Sequence, residues 1–164
     1  MTVSTPSAAE IREALAEVAD PEIPAISIVD LGIVREVAVE GRRIRVELLP
    51  TFVGCPALDV IRDAVRERLG RLAPGCSAEV EFTFVEPWTT ERITPAGREA
   101  LRASGLGPPV PADDLGLIDL QAPLPCPYCG SRRTVLENAF GPTACRSIRY
   151  CTSCRQPFEQ LKTV

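Results

Sequence analysis

The sequence predicts an α+β fold: a small sheet with helices on one face, followed by a linker and a C-terminal zinc-ribbon module. Three observations predict it. Apolar residues recur at helical spacing in two stretches and alternate in others, in the order helix, two strands, helix, strand. A proline- and glycine-rich stretch follows. Two Cys-x-x-Cys pairs then lie near the C-terminus.

The first helix opens at Ser7, with Glu10 three residues on in the pattern of a capping box. Ile11, Leu15 and Val18 give its apolar stripe, and Pro21 stops it. Ile33 to Val39 and Ile44 to Leu48 read as strands joined by a turn at Glu40-Gly41. In the second strand Ile44, Val46 and Leu48 alternate with Arg45 and Glu47, so one face is buried and the other wet. Leu58, Ile61, Val65 and Leu69 then make a second helical stripe, ended by Gly70. "SAEVEFTFV" supplies a third strand with Val80, Phe82 and Phe84 inward, and Cys76 before it reads as a spectator. This sets a first domain at 7–86. Residues 87–125 hold one short helix, Pro95 to Ala103, and the Pro/Gly-rich linker, leaving 126–164 for the ribbon.

Composition narrows the chemistry. The chain has 164 residues, 45% of them apolar and 24% charged, which suits an ordinary soluble domain with a small appendage. The N-terminus reads as free of a signal peptide and no apolar run is long enough to span a bilayer, so a reducing cytoplasm is expected. There, seven cysteines argue for metal or thiol chemistry rather than disulfides. There is no histidine, which excludes Ser-His-Asp triads, Cys-His dyads and histidine-ligated metals. Lys162 is the only lysine, so a Schiff-base mechanism has one candidate, near the tail.

Cys126-x-x-Cys129 and Cys151-x-x-Cys154 have the spacing of two knuckles that close a tetrahedral thiolate site for zinc; iron in the same cage stays open. Strand character between them, Thr134 to Phe140, fits a ribbon. Cys145 is a fifth thiol beside them, read as packing, with a reactive thiol beside Arg146 as the smaller alternative. Arg132, Arg133, Arg146, Arg149, Arg155 and Lys162 make the ribbon basic against Glu137 and Glu159. Two formal negative charges on a four-thiolate zinc, a net charge of -4 for the chain and the lack of interleaved aromatics favour a protein-docking module over a nucleic-acid binder. No nucleic-acid or membrane partner is expected.

Cys55, in "PTFVGCPALDVI", raises a separate question. Pro56 suits the first helical position, which puts Cys55 at the N-cap, where helix N–H groups and the dipole favour a thiolate. Gly54 leaves room for a ligand to approach. With no histidine as a base, an activated thiol there is better suited to a soft metal or cluster, alone or with its counterpart in a homodimer. On the residues alone that reading stands level with simple packing.

"DPEIPAISIVDLGIV" and "TFVGCPALDVI" resemble the metal–sulfur cluster biosynthesis domain family, proteins linked to iron–sulfur cluster assembly or transfer. With "CPYCGS" and "AFGPTACRS", the resemblance narrows to the PaaD-type (PaaJ-type) family of phenylacetate catabolism. It implies an accessory role beside the ring-1,2-phenylacetyl-CoA epoxidase, a di-iron monooxygenase fed by a reductase with flavin and a [2Fe-2S] cluster. The partners implied are those oxygenase and reductase subunits, and the cofactors are ribbon zinc and a transient iron–sulfur cluster. Cys55 matches the family's functional cysteine, with Thr51 and Pro56 as motif neighbours. Asp20, Pro21 and Glu22 match its acidic motif, and Asp30 and Gly32 its Asp-Leu-Gly turn; composition alone reads Asp20 and Glu22 as a helix stop and turn. Val53 stands where relatives often carry a small hydroxyl residue, and Pro142 and Arg146 where serine and lysine are expected.

Three functions follow. The first is an accessory protein that presents Cys55 for iron–sulfur or iron delivery. The second is a structural adaptor bridging oxygenase and reductase through the ribbon, and the third a zinc-ribbon nucleic-acid binder. Direct monooxygenase catalysis is disfavoured, because a di-iron centre needs histidines and a helical bundle.

Overall fold

The computed structural model describes residues 5–107, 109 and 121–162, in two compact units divided between Trp88 and Thr89. In the first unit the helix α1 (Ala8–Leu15) begins under the expected capping box. The Glu10 N–H donates to Ser7 Oγ at 3.3 Å, and the Ser7 N–H returns the bond to the Glu10 carboxylate at 2.8 Å. α1 ends at Leu15, a turn earlier than its stripe suggests, yet Val18 beyond it is still buried.

β1 (Val34–Glu40) and β2 (Arg43–Leu48) form an antiparallel hairpin whose turn is Gly41-Arg42, with Gly41 at φ 59°. The helix α2 (Ala57–Leu72) then carries the chain back to β3 (Ser77–Phe82), which lies parallel to β2. The sheet order is β1-β2-β3. α1 packs on β1 and α2, and α2 packs on β3. Ile44, Val46, Leu48 and Val80 from the sheet meet Ile11, Leu15, Ile61, Val65 and Leu69 from the helices in the core. The outward face alternates Arg43, Arg45 and Glu47 on β2 with Glu79 and Glu81 on β3, and there Arg43 pairs with Glu79.

Three details differ from the sequence pattern. α2 continues through Gly70 to Leu72, because an exposed glycine in the last turn weakens a helix by only about 1 kcal/mol. β3 ends at Phe82, since its partner Leu48 is the last residue of β2; Phe84, expected inside, is 65% exposed. Pro56, not Cys55, is the N-cap residue of α2, at φ -66° and ψ -17°, so Cys55 stands one residue further out.

In the second unit, Thr94 caps the helix α3 (Pro95–Ala103), accepting from the Gly97 N–H at 3.0 Å. A short β4 (Leu106–Gly107) follows. β5 (Thr134–Asn138), β6 (Arg146–Cys151) and β7 (Gln156–Leu161) complete a four-stranded sheet in the order β4-β7-β6-β5. β4 runs parallel to β7. Part of the stretch read as linker, residues 89–107, thus belongs to the same unit as the ribbon, while 108 and 110–120 lie outside the described residues.

Candidate functional site

The ribbon cysteines come together as their spacing requires. All four sulfurs lie within 4.8 Å of one another, with Cys126 Sγ to Cys154 Sγ and Cys129 Sγ to Cys151 Sγ each 3.7 Å. A tetrahedron with Zn–S bonds of ~2.3 Å has sulfur–sulfur edges of about 3.8 Å, so the donor set fits zinc in size and chemistry.

Backbone geometry builds each knuckle. Gly130 donates its N–H to the Cys126 carbonyl at 2.9 Å, and Arg155 donates to the Cys151 carbonyl at 2.8 Å. Ser131 Oγ and Ser153 Oγ, at the two tips, are hydrogen-bonded at 2.7 Å. Cys126, Cys151 and Phe158 form a small buried cluster with Cys154 packed against it. Cys129 is exposed and opens onto a cleft of 640 Å³ lined by Pro95, Leu106, Pro127 and Tyr128.

Electrostatics follow the same design. Backbone N–H groups of Cys154 and Ser153, with thiols of Cys129 and Cys154, lower the Cys151 thiol to about 6. Burial, then the crowding of Cys126, Cys151 and Cys129, pushes Cys154 up to about 12. A bound dication removes that crowding, because each thiolate then faces a positive charge.

Arg149, counted among the basic residues of the ribbon, does not lie on its surface. It is fully buried in β6 and donates from Nε to Gln160 Oε1 and from Nη1 to the Ala122 carbonyl at 3.0 Å. Arg146 pairs with Glu159 at 2.6 Å. The exposed basic residues of the knuckles are Arg132, Arg133 and Arg155.

The remaining candidates lie in the first unit. Cys55 is half-buried in the loop between β2 and α2; its N–H donates to the Phe52 carbonyl at 3.2 Å and its carbonyl accepts from Leu58 at 3.3 Å. Thr51 is half-buried at the start of the same loop. Gly54 sits at φ 92° with open space where a side chain would stand, as close approach to the thiol requires. Asp20 is 8% exposed, and one carboxylate oxygen accepts from the N–H groups of Glu22 at 2.8 Å and Ile23 at 2.9 Å, so it fastens the turn after α1. Glu22 is half-buried beside it. Asp30 accepts from Ser27 Oγ at 2.9 Å, and Gly32 adopts φ 76° in the Asp-Leu-Gly turn. Trp88, which sequence reasoning passed over, donates its indole N–H to Leu31 of that turn at 2.9 Å. Among the described residues, the ribbon is the one set of three or more Cys, Asp or Glu ligands that converges; Cys55, Asp20 and Glu22 form no second one.

Both units match family models: residues 8–82 an iron-sulfur cluster assembly protein family, and residues 112–162 the PaaD zinc beta ribbon domain. A protein of Escherichia coli (strain K12), assigned as a component of the 1,2-phenylacetyl-CoA epoxidase, is 37% identical over 99% of this chain and 97% of its own length. The chain belongs to this PaaD-type family. Its PaaD-type features are the two-module order and the four-cysteine ribbon, whose metal site the match to the zinc ribbon domain covers in full. The first module is shared more widely. The Fe-S protein maturation auxiliary factor YitW of Bacillus subtilis (strain 168) is 33% identical over 56% of this chain and 89% of its own. The crystal structure of a domain of unknown function, DUF59, from Bacillus anthracis superposes with a TM-score of 0.53 at 30% identity, covering 57% of this chain and 90% of that one. The α+β reading of the first unit holds. Among the described residues, no helix is long and apolar enough to cross a membrane.

Proposed function

We propose that the chain is a cytoplasmic accessory subunit of aerobic phenylacetate degradation, assisting assembly or iron–sulfur maturation of the multicomponent phenylacetyl-CoA epoxidase without being its catalyst. In this reading the ribbon holds a resident zinc and docks onto the oxygenase or reductase subunits. An iron–sulfur cluster is cargo, held through Cys55.

The observation that carries the reading is the setting of Cys55. Its loop, Leu49 to Leu58, contains no charged residue, and the positive end of α2 lies immediately behind it, where it favours a thiolate. Among the described residues of this unit, the exposed large apolar ones, Val53, Val60, Phe84 and Val85, lie in the segments after β2 and β3 or in the first turn of α2. Leu48 and Phe82, paired across β2 and β3, bring those two segments out at the same end of the sheet. An apolar surface around a thiolate suits a protein recipient. Among the described residues no convergent set of three or more Cys, Asp or Glu ligands includes Cys55, so a cluster there would complete its coordination from outside, from a second copy or the recipient. A carrier that must release its load needs such a site. The likeness of this half to Fe–S maturation factors supports the same view.

Anaerobic reconstitution with iron and sulfide, followed by metal analysis and Mössbauer spectroscopy, tests the reading. Wild type and Cys55→Ala each retain about one zinc per chain, and a labile iron–sulfur signal is lost in the variant alone. Equal zinc and no cluster in either protein removes the donor role and leaves a structural adaptor.

A further inference from the structure

We propose that the outer edge of β5 is a docking strip for an extended acidic segment of a partner protein, which adds as a fifth strand to the ribbon sheet. This rests on the docking role proposed above for the ribbon and names the surface and the chemistry of its partner.

The geometry is that of an open sheet edge. β5 is the outermost strand of the order β4-β7-β6-β5, and its hydrogen bonds run to β6 alone among the described strands. Among the described residues, the Arg132 carbonyl takes the Thr134 N–H at 2.9 Å, and beyond it no other strand meets the outer N–H and C=O groups of β5, an edge of the kind that another chain can pair with. The opposite edge is the two-residue β4, too short to serve as a template.

Side chains along β5 specify what would bind. Arg132 and Arg133, both exposed, immediately precede it. Arg133 Nε donates to Ser153 Oγ at 2.9 Å, which ties it to the second knuckle, where exposed Arg155 adds a third positive charge. Val135 is 49% exposed within the strand. Beyond its far end Phe140 is 74% exposed, with the Lys162 ammonium 5.3 Å from its ring centroid. Arginine, a residue type enriched in binding hot spots, stands at one end, with an exposed apolar side chain in the middle and an exposed aromatic ring at the other. Charge complementarity calls for acidic residues facing Arg132 and Arg133 at one end of the segment, an apolar side chain over Val135, and no acidic residue opposite exposed Glu137.

A nucleic acid fits less well. Along the strand itself the exposed ring, Phe140, lies at the far end from Arg132 and Arg133, so bases laid on the strip meet no stacking platform between the charges.

The test pairs the full zinc-loaded chain with the other epoxidase subunits of the same organism and follows amide hydrogen exchange. On complex formation the amides of Thr134–Asn138 gain protection. The double variant Arg132→Glu/Arg133→Glu weakens the complex by about tenfold or more, Val135→Thr and Phe140→Ala weaken it in part, and all retain their zinc. A control reversal, Arg66→Glu/Arg71→Glu on α2, has the same change in net charge and leaves affinity intact. A complex that forms with β5 unprotected and is indifferent to the Arg132 and Arg133 reversal overturns the strip while leaving ribbon docking elsewhere in place. Binding of a labelled single-stranded oligonucleotide that those reversals abolish overturns the peptide assignment. Absence of any complex overturns the docking role, and the strip with it.

Discussion

Gly130 and Arg155 occupy the same place in the two knuckles of the ribbon. Each follows the second cysteine of its pair, each has a positive φ, 73° and 60°, and each donates its N–H to the carbonyl of the first cysteine, at 2.9 and 2.8 Å. Glycine takes that conformation freely, whereas an L side chain is strained there by about 1–2 kcal/mol. Arg155 is the only positive-φ residue other than glycine among the described residues, and the closed four-sulfur geometry holds it in place.

Gly130→Ala is expected to destabilise the zinc-loaded second unit by about 1 kcal/mol, by placing a second strained residue at a knuckle. Nothing lies within 4 Å of the added Cβ, so the loss is conformational and not steric. Arg155→Gly is expected to be neutral or slightly stabilising. Thermal unfolding of both variants with zinc bound checks the pair.

Removing the metal should unfold the ribbon selectively. Among the described residues its buried cluster at the metal site is Cys126, Cys151 and Phe158 with Cys154 at its side, whereas the first unit has a core of its own. Metal binding therefore supplies much of the ribbon's folding free energy, ~10 kcal/mol or more. A chelator reaches the metal past exposed Cys129. Hydrogen exchange after chelation should show loss of protection in β5 to β7 and none in β1 to β3.

Replacing Arg149 with alanine should cost about 3 kcal/mol, because Gln160 Oε1 and the Ala122 carbonyl lose a charged donor inside the sheet. Chemical denaturation of the zinc-loaded protein measures it. Arg155, equally basic but exposed, tolerates alanine without a loss of that size.

Acid should loosen the start of α1. The Ser7 N–H, then its hydroxyl, hold the Glu10 carboxyl below its ordinary 4.5. A group depressed in the folded state contributes stability above its unfolded value and loses it as pH falls through the folded one. The capping contribution is thus complete above pH 4.5 and lost at lower pH. An NMR titration of Glu10 should give a midpoint under 4.5, and Glu10→Gln should abolish the step in α1 amide exchange.

Local signals were legible where local chemistry decides. Ser7 with Glu10 announced a capping box, and two Cys-x-x-Cys pairs announced a site that the fold closes to 3.7 Å contacts. Signals failed where a distant partner decides. The alternation through Phe84 carries no mark of where β2 runs out of residues to pair. Arg149 looks like its basic neighbours, and only the cross-strand placement of Gln160 makes it a core residue. The pairing of β4 with β7 joins Leu106 to Glu159, a contact no local pattern encodes. Pro56 has helical dihedrals, so a one-residue shift of the cap is within the fraying of any helix end.

Delivery of an iron–sulfur cluster by Cys55 is tested most directly in cells producing the epoxidase. A strain lacking the native chain is complemented with wild type or with Cys55→Ala, and the [2Fe-2S] content of the purified epoxidase reductase is measured per flavin. A full cluster is expected with wild type and a large deficit with Cys55→Ala, while ribbon zinc and chain abundance stay unchanged. Equal cluster content in both strains would contradict a delivery role for Cys55.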